Sequence, residues 1–260
     1  MRNSFVGLNC ALFKMRKRRP RKGEQLELGL ATPAQSAARE RTWGGKRAGA
    51  GMKKTGRRVG VPHRARREHG WRFPLHVTMR VVEGLPTLRE RGLFGVICDA
   101  IAAANTTARL RDSFRVLQFS VQTNHLHLIV EADDAATLSR GVQGLAIRLA
   151  RRINGALRTP SGPRRGTVWS DRYHARELKT PREVRNGLVY VLHNLKKHRP
   201  ETRGIDVCSS AAAFAGWRDF EPTAPIDWLP RPRTWLARVG WRRAHRGLLS
   251  VRERPTVLTS

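Results

Sequence analysis

Apolar and polar residues alternate through Pro74-Leu75-His76-Val77-Thr78-Met79-Arg80-Val81-Val82, and this period of two predicts a first strand. From Leu88 to Arg109 the period lengthens, and Leu93, Val96, Ile97, Ala100 and Ile101 fall on one helical face. Phe114 to Gln122 returns to a strand pattern around Val116, Phe119 and Val121. Thr123-Asn124 is a tight turn into Asn124-His125-Leu126-His127-Leu128-Ile129-Val130-Glu131, so the two strands form a hairpin. A long helix is expected over Ala135 to Ala156, where Leu138, Val142, Leu145, Leu149 and Ile153 recur at three and four residues. Asp133 and Asp134 sit at its start, where the helix dipole favours negative charge. Pro160 to Gly166 reads as a loop, and Thr167 to Leu178 contains a fourth strand. Thr180-Pro181-Arg182-Glu183 has the form of a capping box with proline at the first helical position. Val184, Leu188, Val191 and Leu195 give the helix it opens a buried stripe, and the helix runs to about His198 before Pro200. Gly187 inside it costs about 1 kcal/mol relative to alanine, and nothing in the pattern accounts for it.

The order strand, helix, strand, strand, helix, strand, helix implies an α+β sandwich of ferredoxin-like or RRM-like form, an antiparallel sheet with helices on one face. His125 and His127 would then occupy the opposite face. Three regions are expected: residues 1–70 as a basic arm, 71–200 as the folded domain, and 201–260 as a basic tail. The arm is rich in Arg, Lys and Gly and lacks apolar periodicity, so it is expected to be disordered. Its glycines miss the GxxxxGK[ST] spacing and follow no strand, which excludes a phosphate loop. The tail carries Trp217, Trp228, Trp235 and Trp241, and Thr234 to Arg243 reads as a short basic amphipathic helix. Two readings of it stay open: tryptophans docked on the domain, or aromatic rings stacking on bases with arginines on phosphates.

Charge narrows the partner. Lys and Arg number 51 against 20 Asp and Glu, a formal net charge of +31. An enzyme of small molecules needs no such excess; a polyanion does. The three cysteines, Cys10, Cys98 and Cys208, form no CxxC pair. That argues against a zinc ribbon or a disulfide scaffold and for a reducing cytoplasm. No apolar run approaches the roughly 20 residues of a membrane helix. The patch Phe5 to Phe13 is followed by its charges, the wrong order for a secretory signal.

Candidate chemistry begins with His125 and His127. Residues i and i+2 of a strand share a face, with Cα atoms about 6.6 Å apart at a rise of about 3.3 Å per residue. The pair either lines a polar sheet face or converges on a divalent ion. Glu131 shares that face and is a candidate to support the pair. On the last helix Tyr190 and Asn194 lie one turn apart, roughly opposite Leu188, with Glu183, Asn186 and Lys197 near the same stripe. His193 is turned about 100° from Asn194 and is not entered as a ligand. Tyr173, the other tyrosine of the chain, competes with Tyr190, but no ligand-type residue follows it at helical spacing. Arg148, Arg151, Arg152 and Arg158 load one half of the long helix, either as a solvated face or as DNA contacts.

His125-Leu126-His127 resembles the His-hydrophobe-His signature of HUH nucleases, and Tyr190-Val191-Leu192-His193-Asn194 is similar to the catalytic helix of their single-tyrosine transposases. With Asn124 to Leu128 and Val168-Trp169-Ser170-Asp171-Arg172-Tyr173, the chain looks like the REP-associated tyrosine transposases over about residues 71–200. The basic arm and the Trp-rich tail also look like members of that group. The resemblance implies a metal-dependent transesterase that cleaves and rejoins single-stranded DNA at hairpins through a 5′-phosphotyrosine intermediate, without ATP. It implies Tyr190 as the nucleophile and Mg²⁺ or Mn²⁺ on His125, His127 and Asn194, though such ligands alone do not exclude Zn²⁺. A phenol of pKa ~10 is a poor nucleophile at neutral pH, and Lys197 is the candidate cation to help it ionise. Arg148, Arg151, Arg152, Arg164, Arg165 and Lys197 are the expected DNA contacts. The implied partner is a single-stranded DNA hairpin rather than a membrane, the assembly a monomer or homodimer, and the location cytoplasmic at the nucleoid. The competing reading is a non-catalytic nucleic-acid-binding module, or a domesticated transposase that only binds DNA.

Overall fold

In the computed structural model the described residues are 68–107, 112–223 and 225–255, so the expected arm up to residue 67 lies outside them. The hairpin turn at Thr123-Asn124 joins β2 (Phe114–Val121) to β3 (His125–Ala132), closed by the Gln122 N–H donating to the His125 carbonyl at 2.8 Å. β1 (Leu75–Arg80) pairs antiparallel with the other side of β3, in a register that sets Thr78 opposite His127 and Arg80 opposite His125. β6 (His174–Glu177) completes the four-stranded sheet in the order β2-β3-β1-β6. The expected loop after the long helix holds a minimal hairpin, β4 (Arg158–Thr159) with β5 (Gly162–Pro163).

One face of the sheet presents Leu75, Val77, Met79, Leu126, Leu128 and Val130 to α1 (Arg91–Thr106) and α2 (Ala135–Ala156), which supply Leu93, Ile97, Ile101, Leu138, Val142, Leu145, Leu149 and Ile153. This is the expected α+β core with two helices on one face. Asp134 caps α2, its side chain accepting from the Thr137 N–H at 2.6 Å. The alternate residues, His76, Thr78, Arg80, His125, His127, Ile129 and Glu131, face the other way.

Across that second face lies α3 (Pro181–Leu192), opened by the expected capping box: Thr180 and Glu183 exchange side-chain and backbone bonds of 3.1 Å. Gly187 now has a role. A Cβ there would stand 2.9 Å from Leu178 Cδ1 and 3.6 Å from Ile129 Cδ1, so its absence lets α3 settle close onto the sheet. The buried surface of α3 is wider than its predicted stripe, taking in Arg185, Val189 and Leu192, while Leu195 is only half-buried. The reason is a third layer. Phe214, Trp217, Leu236, Trp241 and Leu249 of the tail join one apolar cluster with Val184, Leu188 and Val191.

The docked reading of the tail therefore describes Trp217 and Trp241, 6 % and 2 % exposed, whereas Trp235 remains exposed. Trp228 stacks on Phe119, ring centroids 5.8 Å apart. The expected tail helix is one α-turn, α5 (Trp235–Arg238), followed by a 3₁₀ turn at Gly240–Arg243. The tail also covers the outer edge of β2, where the Val121 N–H donates to the Cys208 carbonyl at 2.8 Å and Ser120 bridges to Ser209. Pairing of this kind covers the Ser120–Val121 end of the edge against another chain.

Two expectations are corrected. The tyrosine helix does not run unbroken to His198: it ends at Leu192, turns at His193 (φ −113°, ψ 14°), and resumes as α4 (Asn194–His198). His193 is held by the tail, with Nε2 3.0 Å from the Ser250 carbonyl and the ring 5.0 Å from that of Trp217. Tyr173 is not on a strand but just ahead of β6.

Candidate active site

The register of β1 against β3 builds the site. His125 Nε2 lies 3.0 Å from His127 Nε2. On the far side of its ring His125 Nδ1 is 2.8 Å from Asn124 Oδ1. With that oxygen as acceptor, His125 carries its proton on Nδ1 and turns a lone pair toward His127. His127 Nδ1 is 3.1 Å from both His76 Nε2 and Thr78 Oγ1, two partners that fix its ring from β1. All three rings are kept neutral near pH 7. Burial, then His198, Arg80 and Lys197, pushes His125 down to about 4. Burial, then His174 and Arg176, pushes His76 down to about 4. Burial, then His76 and His125, holds His127 well below the usual histidine range.

Tyr190 meets this group from α3. Its ring centroid is 5.1 Å from that of His127 and 5.5 Å from that of His76, both edge-on. Lys197 Nζ donates to the Tyr190 hydroxyl at 3.2 Å and stands 5.1 Å from the ring centre. Asn194 is fully buried, and neither Oδ1 nor Nδ2 has a hydrogen-bond partner. Its helix flanks the pair, since the His198 ring is 6.1 Å from that of His125.

These residues fit a divalent cation. Two donors 3.0 Å apart match the edge of an octahedral shell whose bonds are about 2.1 Å. Neutral imidazoles are the ligating form, and an unpaired buried amide such as that of Asn194 calls for a partner. Among the described residues no cluster of three or more His, Cys, Asp or Glu side chains is arranged for a metal; the donors seen to converge are the two imidazoles, with the unpaired Asn194 amide on the adjoining helix.

Other expected site residues are placed elsewhere. Tyr173 is on the opposite side of the sheet, with its hydroxyl 3.2 Å from Ser139 Oγ of α2. Glu131 does not support the histidines: it pairs with Arg115 and accepts from the backbone N–H groups of Arg233 and Thr234, anchoring the tail. Arg148, Arg151 and Arg152 belong to α2, across the sheet from the histidine pair. Arg148 donates to Thr107 Oγ1 and Arg152 pairs with Asp99, while Arg151 is exposed. Arg164 ties the β4–β5 hairpin to α2 through Asn154, and Arg165 is exposed beside it. Of the six expected DNA contacts, only Lys197 stands at the histidine–tyrosine group. His76, Thr78 and Asn124 escaped the sequence reading. The alternation His76, Thr78, Arg80 was visible as a polar face, but only the strand register sets it beside His127.

An α+β sandwich in which a strand-borne histidine pair faces a helix-borne tyrosine is thus the class that fold and site define. The family model for IS200-like transposases matches residues 86–192, a stretch that contains His125, His127 and Tyr190 and ends before Asn194. The transposase resemblance carried by the motifs is therefore shown over that stretch. No curated protein matches the chain. A solved structure titled "Structure of the REP associates tyrosine transposase bound to a REP hairpin" aligns with a TM-score of 0.41 and 15% identity, over 53% of this chain and 74% of that one. A likeness that slight carries no argument about activity. Among the described residues no helix is long and apolar enough to cross a membrane.

Proposed function

We propose that the chain is a transposase that cleaves and rejoins single-stranded DNA at hairpins, with Tyr190 as nucleophile and a 5′-phosphotyrosine intermediate. The observation that carries this reading is the edge-on approach of Tyr190 to His127, 5.1 Å between centroids, beside two Nε2 atoms 3.0 Å apart. Tyr173, the alternative nucleophile, has the sheet between it and the histidines.

Phosphoryl transfer asks for alignment and charge neutralisation more than for covalent chemistry from the protein. Lys197 stabilises the phenolate as the Tyr190 hydroxyl gives its proton to solvent. The phenolate oxygen forms a bond to phosphorus, the bond from phosphorus to the 3′ oxygen breaks, and that oxygen takes its electron pair and then a proton. Attack by a second 3′-hydroxyl on the phosphotyrosine reverses the sequence and releases Tyr190, so bond energy is conserved and no nucleotide cofactor is consumed. Asn124 and the His76–Thr78 pair keep His125 and His127 aimed at one point. A Mg²⁺ or Mn²⁺ ion held by His125, His127 and Asn194 would supply positive charge to the phosphate oxygens when bound.

The test is covalent capture. Incubated with single-stranded hairpin DNA and Mn²⁺, the protein should form an adduct that survives denaturing electrophoresis, disappears in Tyr190→Phe and persists in Tyr173→Phe. An adduct that follows Tyr173 overturns the assignment. Metal-independent binding without cleavage of any hairpin favours the non-catalytic module.

A further inference from the structure

A cavity of about 400 Å³ opens beside the histidine pair at the hairpin end of the sheet, lined by Arg80, Gln122, Asn124, His125, His198 and Arg199 among others. It lies within the size range of small-ligand sites, roughly 300–1,000 Å³. His125 forms its wall, so the cavity and the point where the two imidazoles converge are contiguous. Its polar groups divide by chemistry. Arg80, opposite His125 in the sheet register, and Arg199, just past α4, are exposed, and neither guanidinium has a protein partner among the described residues. Arg89 also lines the cavity, but its charge is spent on Asp206, which it meets through both terminal nitrogens at 2.9 and 2.7 Å. Gln122 is only 3 % exposed; its Nε2 donates to Ser120 Oγ at 2.6 Å, and among the described residues its Oε1 has no hydrogen bond. Asn124 spends its Oδ1 on His125, which leaves its amide N–H₂ as a donor.

We propose that this cavity is a nucleotide subsite, holding the residue of a single DNA strand next to the phosphate at Tyr190. Arg80 and Arg199 take the neighbouring phosphate, and Gln122 and Asn124 offer an acceptor and a donor to the edge of its base. Exposed arginines without partners suit a backbone phosphate. An amide oxygen that keeps solvent contact and has no protein hydrogen bond offers an acceptor to an unpaired base, whose hydrogen-bonding edge is free in a single strand. The subsite rests on the proposed DNA reading but not on the chemistry at Tyr190. It differs from the sequence expectation, which placed most DNA contacts on α2 and the loop after it.

The experiment uses full-length Tyr190→Phe protein in EDTA, so that neither cleavage nor metal contributes. A ten-residue oligothymidylate containing 4-thiothymidine is crosslinked by light and the tryptic peptides are mapped. The expected crosslink lies in the peptide of residues 116–140, which carries Gln122 and Asn124. The double change Arg80→Gln and Arg199→Gln should lower that crosslink and the affinity by about tenfold and reduce the slope of log affinity against log salt by about 2. Circular dichroism and thermal melting confirm the fold of each variant. Crosslinks confined to other peptides, or a 116–140 crosslink unmoved by the double change, overturn the subsite. A positive map in a protein that never forms an adduct keeps the subsite and sinks the nuclease reading instead.

Discussion

At the residue scale, the site depends on how each imidazole is turned. His125 is directed by the side chain that precedes it in sequence, Asn124, across 2.8 Å. Groups that orient a ligating histidine are worth about 10- to 100-fold in metal affinity. Asn124→Ala should therefore weaken Mn²⁺ binding by about that factor, read by titration calorimetry, while the thermal midpoint of the metal-free protein stays close to wild type. Unchanged affinity would show that His125 holds its position without help. The same histidines carry a pH signature. His76, His125 and His193 are pushed to about 4, mainly by burial. The unfolded chain takes up protons on them below about 6.5 while the folded chain does not. Their contribution is complete above about pH 6.5 and is lost as pH falls from there toward 4. Denaturant midpoints at pH 7.5, 6 and 5, without metal, should fall in that order. A flat profile would contradict the neutral, buried state of these rings.

At the element scale, close approach decides which glycines matter. α2 presses on β2 through Gly141, where a Cβ would stand 2.2 to 2.6 Å from atoms of the Phe114 ring. Phe114 is 1 % exposed and cannot swing away. Gly141→Ala should cost about 1–3 kcal/mol through overpacking, despite the better helix propensity of alanine, and equilibrium unfolding in urea would measure it. A stabilised variant would mean that α2 can lift from the sheet. The elements were largely legible: the capping box, the hairpin and the long helix each announce themselves by local chemistry. The break at His193 was not, because it arises from Ser250 and Trp217, more than twenty residues away in sequence.

At the scale of the whole molecule, the tail is part of the fold that carries Tyr190. Arg185, buried on α3, donates to the carbonyls of Gly247 and Leu248 and to both carboxylate oxygens of Glu253. His193 and Lys196 reach the carbonyls of Ser250 and Val251. Three residues of the tyrosine-bearing segment are thus bound to one stretch of tail. Arg185→Ala removes these bonds and strands Glu253, a loss of about 3 kcal/mol for a buried pair broken on one side. Thermal melting should report it, and limited proteolysis should cut between residues 244 and 255 sooner than in wild type. Equal protection in the variant would make the tail independent of α3.

Sequence by itself determined what depends on neighbours along the chain. The period of apolar residues fixed the elements, the i, i+2 spacing put His125 and His127 on one face, and the net charge of +31 pointed to a polyanion. Helical spacing set Tyr190 and Lys197 near one stripe, and their 3.2 Å contact is made across the turn at His193 that spacing did not foresee. Tertiary structure alone decided what depends on register and layering. Pairing Thr78 with His127 brought His76 to the site, and the third layer gave Glu131 and His193 to the tail. These are contacts between segments distant in sequence, and no local pattern of hydrophobic and polar residues encodes which strand lies beside which, or what covers the outer face of a helix.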